Sequence, residues 1–263
     1  MTVNPIRNIS FRLFYMWRRN GEVFLRTWFV SILPPLLEPV FYYLAFGLGM
    51  GSMMGALTYC GVEFPYRLYL APAIAAIAIM NYSFFECTYS AFVRIVYQKT
   101  YEALTATPLS LEDVVAGEIF WGATRAMAAC GIILLILQFF APIHWQGLPL
   151  VLVAAFLGGL FFASLGMVFT GLLPNIDMFN YPVFLLITPM MLLSGTFFPV
   201  ENFGRTLSLI SEVFPLTHVV RLVRNPYLGI YSGKEWISIL YLLIASPLAA
   251  TVSILLVRKK LIH

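Results

Sequence analysis

Three ionisable residues stand where charge is expensive. Glu38, Glu86 and Arg125 each fall inside a long apolar run, and a lone charge at mid-bilayer costs about 2.5–3.5 kcal/mol on insertion scales unless it finds a partner or water. At about 1.5 Å per helical residue, Glu38 lies about 18 Å beyond Arg26, Glu86 about 12 Å from Arg94 and Arg125 about 11 Å from Glu118. Glu86 and Arg125 therefore share a depth and are expected to pair, across adjacent spans or across a dimer. Such a pair either holds two helices in register or lines a polar path. Glu38 sits among Pro34, Pro35 and Pro39, which loosen backbone hydrogen bonding and suit a kinked or moving span. For it too, a structural and a path-lining role both stand.

No catalytic or metal-ligating constellation accompanies these charges. His144, His218 and His263 form no HExxH pattern and have no acidic partner nearby in sequence. Cys60, Cys87 and Cys130 lack CxxC or ligand spacing and are expected to pack as small hydrophobes. The nearest approach to a nucleotide-binding GxxxxGK[ST] loop is GIYSGKE, Gly229 to Glu235. It has one residue too few between the glycines and a glutamate where the Mg²⁺-binding hydroxyl belongs. The chain is expected to bind no cofactor and hydrolyse no nucleotide.

The elements that must position these charges follow from composition. Of 263 residues, 60% are hydrophobic and 11% charged, against about a quarter charged in soluble domains. Six apolar runs, about 28–50, 69–93, 119–140, 148–173, 179–198 and 236–257, approach or exceed a hydrocarbon core. None alternates with period two, so each is expected to be a helix. The reading is an all-α integral membrane protein with six transmembrane helices in one domain, 1–263: an interfacial arm (1–27), a six-span bundle (28–257) and a tail (258–263). Ten lysines and arginines flank one side of these spans and five the other, which places both termini in the cytoplasm. The net charge of +4 is spread over membrane flanks without a basic stripe, so no nucleic-acid partner is expected.

Before the first span, Ile6, Ile9, Leu13, Met16 and Trp17 share a helical face, with Arg12, Arg18 and Arg19 off it, until Asn20-Gly21 interrupts the pattern. This predicts a helix lying in the headgroup layer, acting as a lever or a simple anchor. The polar stretch YQKTYEALTATPLSLEDVVAGE (97–118) predicts a helix from about Tyr97 whose residues Tyr97, Tyr101 and Leu104 make an apolar ridge. Pro108 stops that helix. Ser110 and Asp113 then form a capping box, and Leu109 with Val114 a staple, for the next one.

Between the fifth and sixth spans, Leu207, Ile210 and Phe214, then Leu216, Val219, Val220 and Val223, give two short apolar faces broken at Pro215. Two short helices dipping into the outer leaflet are expected. Ser194 and Gly195 permit close backbone approach. Phe197, Phe198 and Pro199 either plug the outer end of a path or anchor a helix end at the interface. His218 is grouped with this outer gate.

Three blocks, TYEALTATPLSLEDVVAGEIFWGATRA (100–126), LSGTFFPVENF (193–203) and FPLTHVVRLVRNPYLG (214–229), closely resemble the permease subunits of bacterial ABC-2 type exporters, in particular the nodulation-factor (NodJ-like) branch. The resemblance implies an inner-membrane permease that works as a homodimer on two copies of a separate ABC ATPase subunit, which holds ATP and Mg²⁺. It implies that residues 97–108 form the ATPase-coupling helix, with Tyr97, Thr100, Tyr101, Glu102, Leu104, Thr107 and Pro108 as coupling residues. It also implies re-entrant helices closing the outer end, and export of an amphiphile such as a lipid-linked oligosaccharide, a lipooligosaccharide or a hydrophobic drug. Two other classes are weighed against it. A membrane-embedded lipid- or glycan-modifying enzyme would need clustered acids or histidines at one membrane edge. An ATP-independent secondary transporter would show duplicated halves.

Overall fold

The computed structural model describes residues 9–142 and 144–262, leaving aside the side chains of residues 30, 32–36, 201, 203 and 262. The expectations for Ile6 and His263 lie outside the described residues.

Apolar runs satisfy their backbone internally by becoming helices, and helices dominate. In chain order they are α1 (Leu13–Arg26), α2 (Trp28–Tyr42), α3 (Tyr66–Phe85), α4 (Thr100–Thr105), α5 (Leu111–Leu137) and α6 (Leu148–Leu172). There follow α7 (Ile176–Leu193, a composite of short helical segments), α8 (Arg205–Ser211), α9 (Pro215–Leu228) and α10 (Glu235–Ile262). α2 continues as a π-helical segment, Tyr43–Gly49, and α3 runs on through two more, Glu86–Ser90 and Val93–Tyr97.

Among the described residues five helices are long and apolar enough to cross a membrane: Tyr66–Tyr97, Leu111–Leu137, Trp145–Leu172, Ile176–Leu193 and Glu235–Leu261. The first expected span, 28–50, is helical from Trp28 through Gly49 but stands outside that set. α8 and α9 make a pair bent by 93°, as the break at Pro215 predicts. The third span begins at Leu111 rather than at residue 119, because the Ser110–Asp113 capping box starts the helix before its apolar part.

One element departs from the all-α expectation. β1 (Ala56–Tyr59) and β2 (Val62–Pro65) pair antiparallel, Ala56 opposite Pro65 and Tyr59 opposite Val62. The two-residue turn, Cys60 and Gly61, has positive φ at both positions (51° and 78°), the backbone sign that closes tight hairpins. Cys60 is therefore exposed at a hairpin tip, while Cys87 and Cys130 are buried.

α6 packs against α3, α5, α9 and α10. Small residues let these helices approach closely where lipid offers no hydrophobic drive: a Cβ on Gly166 would lie 2.7 Å from the Phe84 carbonyl oxygen. On α10, Trp236, Ile237, Leu240, Leu243, Ile244 and Leu248 face outward, as a lipid-facing surface requires. The chain thus has an α4 end, where Ser10, Asp113, Glu112 and Arg258 meet, and a hairpin end, where Tyr59, Gly195, Arg224 and Asn225 meet.

Candidate functional site

The amino-terminal arm is docked on the bundle. α1 passes through Asn20-Gly21 without a break, contrary to the expected interruption, because both residues face a partner. The Asn20 amide donates to Glu118 Oε2 at 3.2 Å, and Gly21 lies against the Trp121 ring. Met16 is buried against Gly117, where any Cβ would come within 2.7 Å of Met16 Cβ. Trp17 Nε1 donates to Thr124 Oγ1 at 3.0 Å, and the Ser10 amide donates to Asp113 Oδ1 at 2.6 Å. The apolar face expected to meet lipid thus meets α5, and Phe11, Tyr15 and Leu25 point away.

Against this arm lies a buried network of charge. Arg125 pairs with Glu86, as their common depth predicts. Arg94 adds what the sequence reading missed, one nitrogen reaching Glu86 Oε1 at 2.9 Å and Glu118 Oε2 at 2.7 Å. Both carboxylate side chains are almost wholly buried, at 4% and 0% exposure. Two acids and two guanidiniums balance, so no net charge is buried. Arg125 also donates to the Ser31 carbonyl at 3.3 Å, so α1, α2, the extension of α3, and α5 all meet here.

Arg94 and Glu118 read in sequence as boundary residues. For Glu118 one signal pointed the other way, since it precedes Arg125 by two helical turns on one face of α5. For Arg94 the cause lies in the structure, where π-helical segments shift the register after residue 85 and swing Arg94 back toward Glu86. Such a network is weak as a source of stability but good at fixing register.

The polar stretch 97–108 differs from the expected ridge. Lys99 takes a left-handed conformation (φ 50°, ψ 28°) and starts α4 at Thr100, so Tyr97 belongs to the end of the previous helix. Tyr97, Glu102, Thr107 and Pro108 are exposed, and Thr100 and Leu104 are partly covered. Tyr101 points inward and is fully buried, so no outward Tyr97–Tyr101–Leu104 ridge forms. The reason is local: the left-handed turn at Lys99 resets the helix phase. The Tyr101 hydroxyl has no hydrogen-bond partner among the described residues. Burial first, and the neighbouring Glu118 carboxylate second, push its pKa well above the ordinary tyrosine range. The expected capping box is present, Ser110 Oγ accepting from the Asp113 amide at 3.0 Å.

At the hairpin end, the turn after α7 holds Ser194, Gly195 and Pro199 buried, with Phe197 partly buried and Phe198 partly exposed. Phe197 packs on Phe46, ring centroids 5.6 Å apart. Gly195 takes φ +69°, which a side chain would strain. A residue not singled out from the sequence holds this turn. Arg224, counted there as an outer flanking charge, is buried and donates to the carbonyls of Gly195 (2.9 Å), Thr196 (3.2 Å) and Tyr69 (3.2 Å). Its guanidinium lies 3.7 Å from the Tyr69 ring centroid, a cation–π geometry. His218 faces α10 rather than that turn. Its ring nitrogens meet Ser238 Oγ at 3.1 Å and the Glu212 carbonyl at 3.0 Å, and it stacks on Tyr241.

Three cavities surround the network. A cleft of about 390 Å³ is lined by Glu38, Tyr42, Tyr82, Glu86, Arg125 and Phe197 among others, so all three intramembrane charges singled out from sequence border one space. A polar cavity of about 370 Å³ shares Glu86, Ser90 and Arg125 with it, and an apolar one of about 230 Å³ lies beside Phe24 and Trp121. Among the described residues no group of three metal-ligating side chains forms.

A polar seam of ion pairs thus runs inside a bundle whose long apolar helices can cross a membrane. The model of the ABC-2 type transporter family matches residues 12–228, and the chain belongs to that family. It is 36% identical over 248 residues to "Nodulation protein J" of Rhizobium leguminosarum bv. viciae, covering 94% of each chain. It is 37% identical over 214 residues to "Nodulation protein J" of Neorhizobium galegae (81% and 80% covered). To the "Inner membrane transport permease YadH" of Escherichia coli K12 it is 23% identical over 218 residues, 82% of each. No solved structure matches the chain.

Proposed function

We propose that this chain is the permease subunit of an ATP-driven exporter, and that it moves an amphiphile outward across the bacterial inner membrane as a homodimer on two ATPase subunits. The observation that carries the reading is the rooting of α4. Its outer residue Glu102, with Thr107 and Pro108 in the turn that follows it, is exposed, while its inner residue, Tyr101, is buried beside Glu118 and Arg94. A push on α4 thus reaches the network that joins α1, α3 and α5 and borders the clefts. Binding and hydrolysis of ATP on the partner would shift the bundle between two states through this contact. Tyr97, Thr100 and Leu104 flank the contact and Tyr101 transmits it.

Orientation follows the positive-inside rule. With Arg94 and Arg224 counted as buried, the lysines and arginines stand nine to four in favour of a cytoplasmic α4 end. The exposed Phe41 of α2 and Tyr181, Phe184 and Leu185 of α7 offer apolar area for a second copy. The polar cavity and the apolar one beside it suit a lipid-linked glycan, consistent with the nodulation-factor resemblance. The hairpin-end turn held by Arg224 would close the outer exit, with Ser194, Gly195, Phe197, Phe198 and Pro199 at the gate.

The test is co-purification with the ATPase subunit from the native host and measurement of its ATP hydrolysis. Glu102→Arg, on the exposed face, is expected to abolish association without changing the permease's stability. An isolated permease that recruits no ATPase, or a Glu102→Arg variant with unchanged association and hydrolysis, rules the reading out.

A further inference from the structure

The polar cavity between α1, α2, the extension of α3 and α5 carries a charge that the network does not use. It is lined by Arg19, Arg94 and Arg125, with Glu86 as its one acid and Asn20 and Gln98 as further polar groups. With Glu118 behind Arg94, three guanidiniums face two carboxylates, leaving one positive charge in excess. That excess is Arg19. Among the described residues it has no carboxylate within ion-pair distance, and its recorded bond is to the adjacent Asn20 Oδ1 at 3.3 Å. The nearby Glu22 is held outward by Arg18, and Glu38 lines the neighbouring cleft rather than this one.

The same cavity adjoins the apolar one of about 230 Å³, whose walls include Phe24, Tyr82, Trp121, Ala128, Ala129 and Ile132, and the two share Phe24, Trp121 and Arg125. Guanidiniums recognise phosphate oxygens through their planar forks. We propose that this composite cavity binds an anionic phosphate-bearing amphiphile, its headgroup among Arg19, Arg94 and Arg125 and its apolar part along Phe24, Trp121 and Ala128. A single phosphodiester neutralises the single excess charge. A free phosphate would leave the apolar half empty, and a zwitterionic head would set a cation beside three guanidiniums. The inference is independent of the export reading, since the site would hold such a lipid as cargo or as a resident.

Native mass spectrometry of the full chain released from detergent, with phosphatidylglycerol, phosphatidylcholine or inorganic phosphate added, tests this. One phosphatidylglycerol per chain should be retained in preference to phosphatidylcholine. Arg19→Gln, which leaves every ion pair intact, should weaken its retention about tenfold, the effect of losing roughly one charge-assisted hydrogen bond. Lys259→Gln, with the same charge change at an exposed α10 residue that lines none of these cavities, should leave it unaltered. The proposal fails if Arg19→Gln matches the unsubstituted chain, if Lys259→Gln loses as much, or if the two lipids are retained equally. Displacement of phosphatidylglycerol by millimolar inorganic phosphate would assign the site to free phosphate and overturn the amphiphile.

Discussion

Arg94 bridges two carboxylates that are almost fully buried, at 2.9 Å and 2.7 Å. Replacing it by methionine keeps the bulk of the stem but leaves Glu118 with only the Asn20 amide, while Glu86 keeps Arg125. Removing one partner of a buried pair costs about 3–5 kcal/mol when the charge left behind is uncompensated, and the attraction of Arg19 for Glu118 keeps the cost here at the lower end, about 3 kcal/mol. At about 2–4 °C per kcal/mol for a chain of this size, Arg94→Met should lower the midpoint of thermal unfolding in detergent by roughly 6–12 °C. Glu118→Gln alone should cost less, about 1–3 kcal/mol, since Arg94 still has Glu86. The informative variant is the double, Arg94→Met/Glu118→Gln. It removes the orphaned charge together with its partner and should recover about 2 kcal/mol relative to Arg94→Met, within the range that directly coupled residues show. If the double variant is no more stable than Arg94→Met, Arg94 and Glu118 do not act as a pair, and the transmission path from α4 loses its first link.

Tyr101→Phe should leave stability unchanged or raise it slightly, because the hydroxyl it removes is buried without a partner, whereas Tyr101→Ala should cost about 3–5 kcal/mol by cavity formation; chemical unfolding of both variants compares them. Gly117→Val should undock the arm, since even a Cβ there would meet Met16 at 2.7 Å and the Leu13 carbonyl at 2.8 Å, and limited proteolysis should then cut before residue 27 faster than in the unsubstituted chain. Arg224→Met removes a donor from three carbonyls, of which Gly195 keeps the Tyr69 hydroxyl, and should cost about 2–5 kcal/mol; with the exposed Cys60 replaced by serine, a cysteine placed at residue 198 should then react faster with a bulky thiol reagent, and an unchanged rate would show that Arg224 does not hold that turn.

The amino-acid sequence determined the membrane class, five of the six expected membrane-crossing helices, the capped start of α5 and the pairing of Glu86 with Arg125. Each follows from something a linear string carries: the length of apolar runs, a local Ser–Asp spacing, a common depth for opposite charges. The family, too, was legible in three blocks of residues. What lay beyond the string depended on helix phase and on contacts between distant segments. A left-handed Lys99 turned Tyr101 inward and removed the expected ridge. Asn20, a helix interrupter by type, became a buried ligand of Glu118.

The two arginines that do most to organise the bundle's ends, Arg94 and Arg224, read as ordinary flanking charges until the fold supplied their acceptors. For Arg94 these are two carboxylates, and for Arg224 three main-chain carbonyls whose availability no residue type announces. Periodicity and hydropathy report what a segment does against a uniform solvent. Only tertiary packing decides which charge is desolvated and what compensates it, because that depends on groups tens to more than a hundred residues away in the chain.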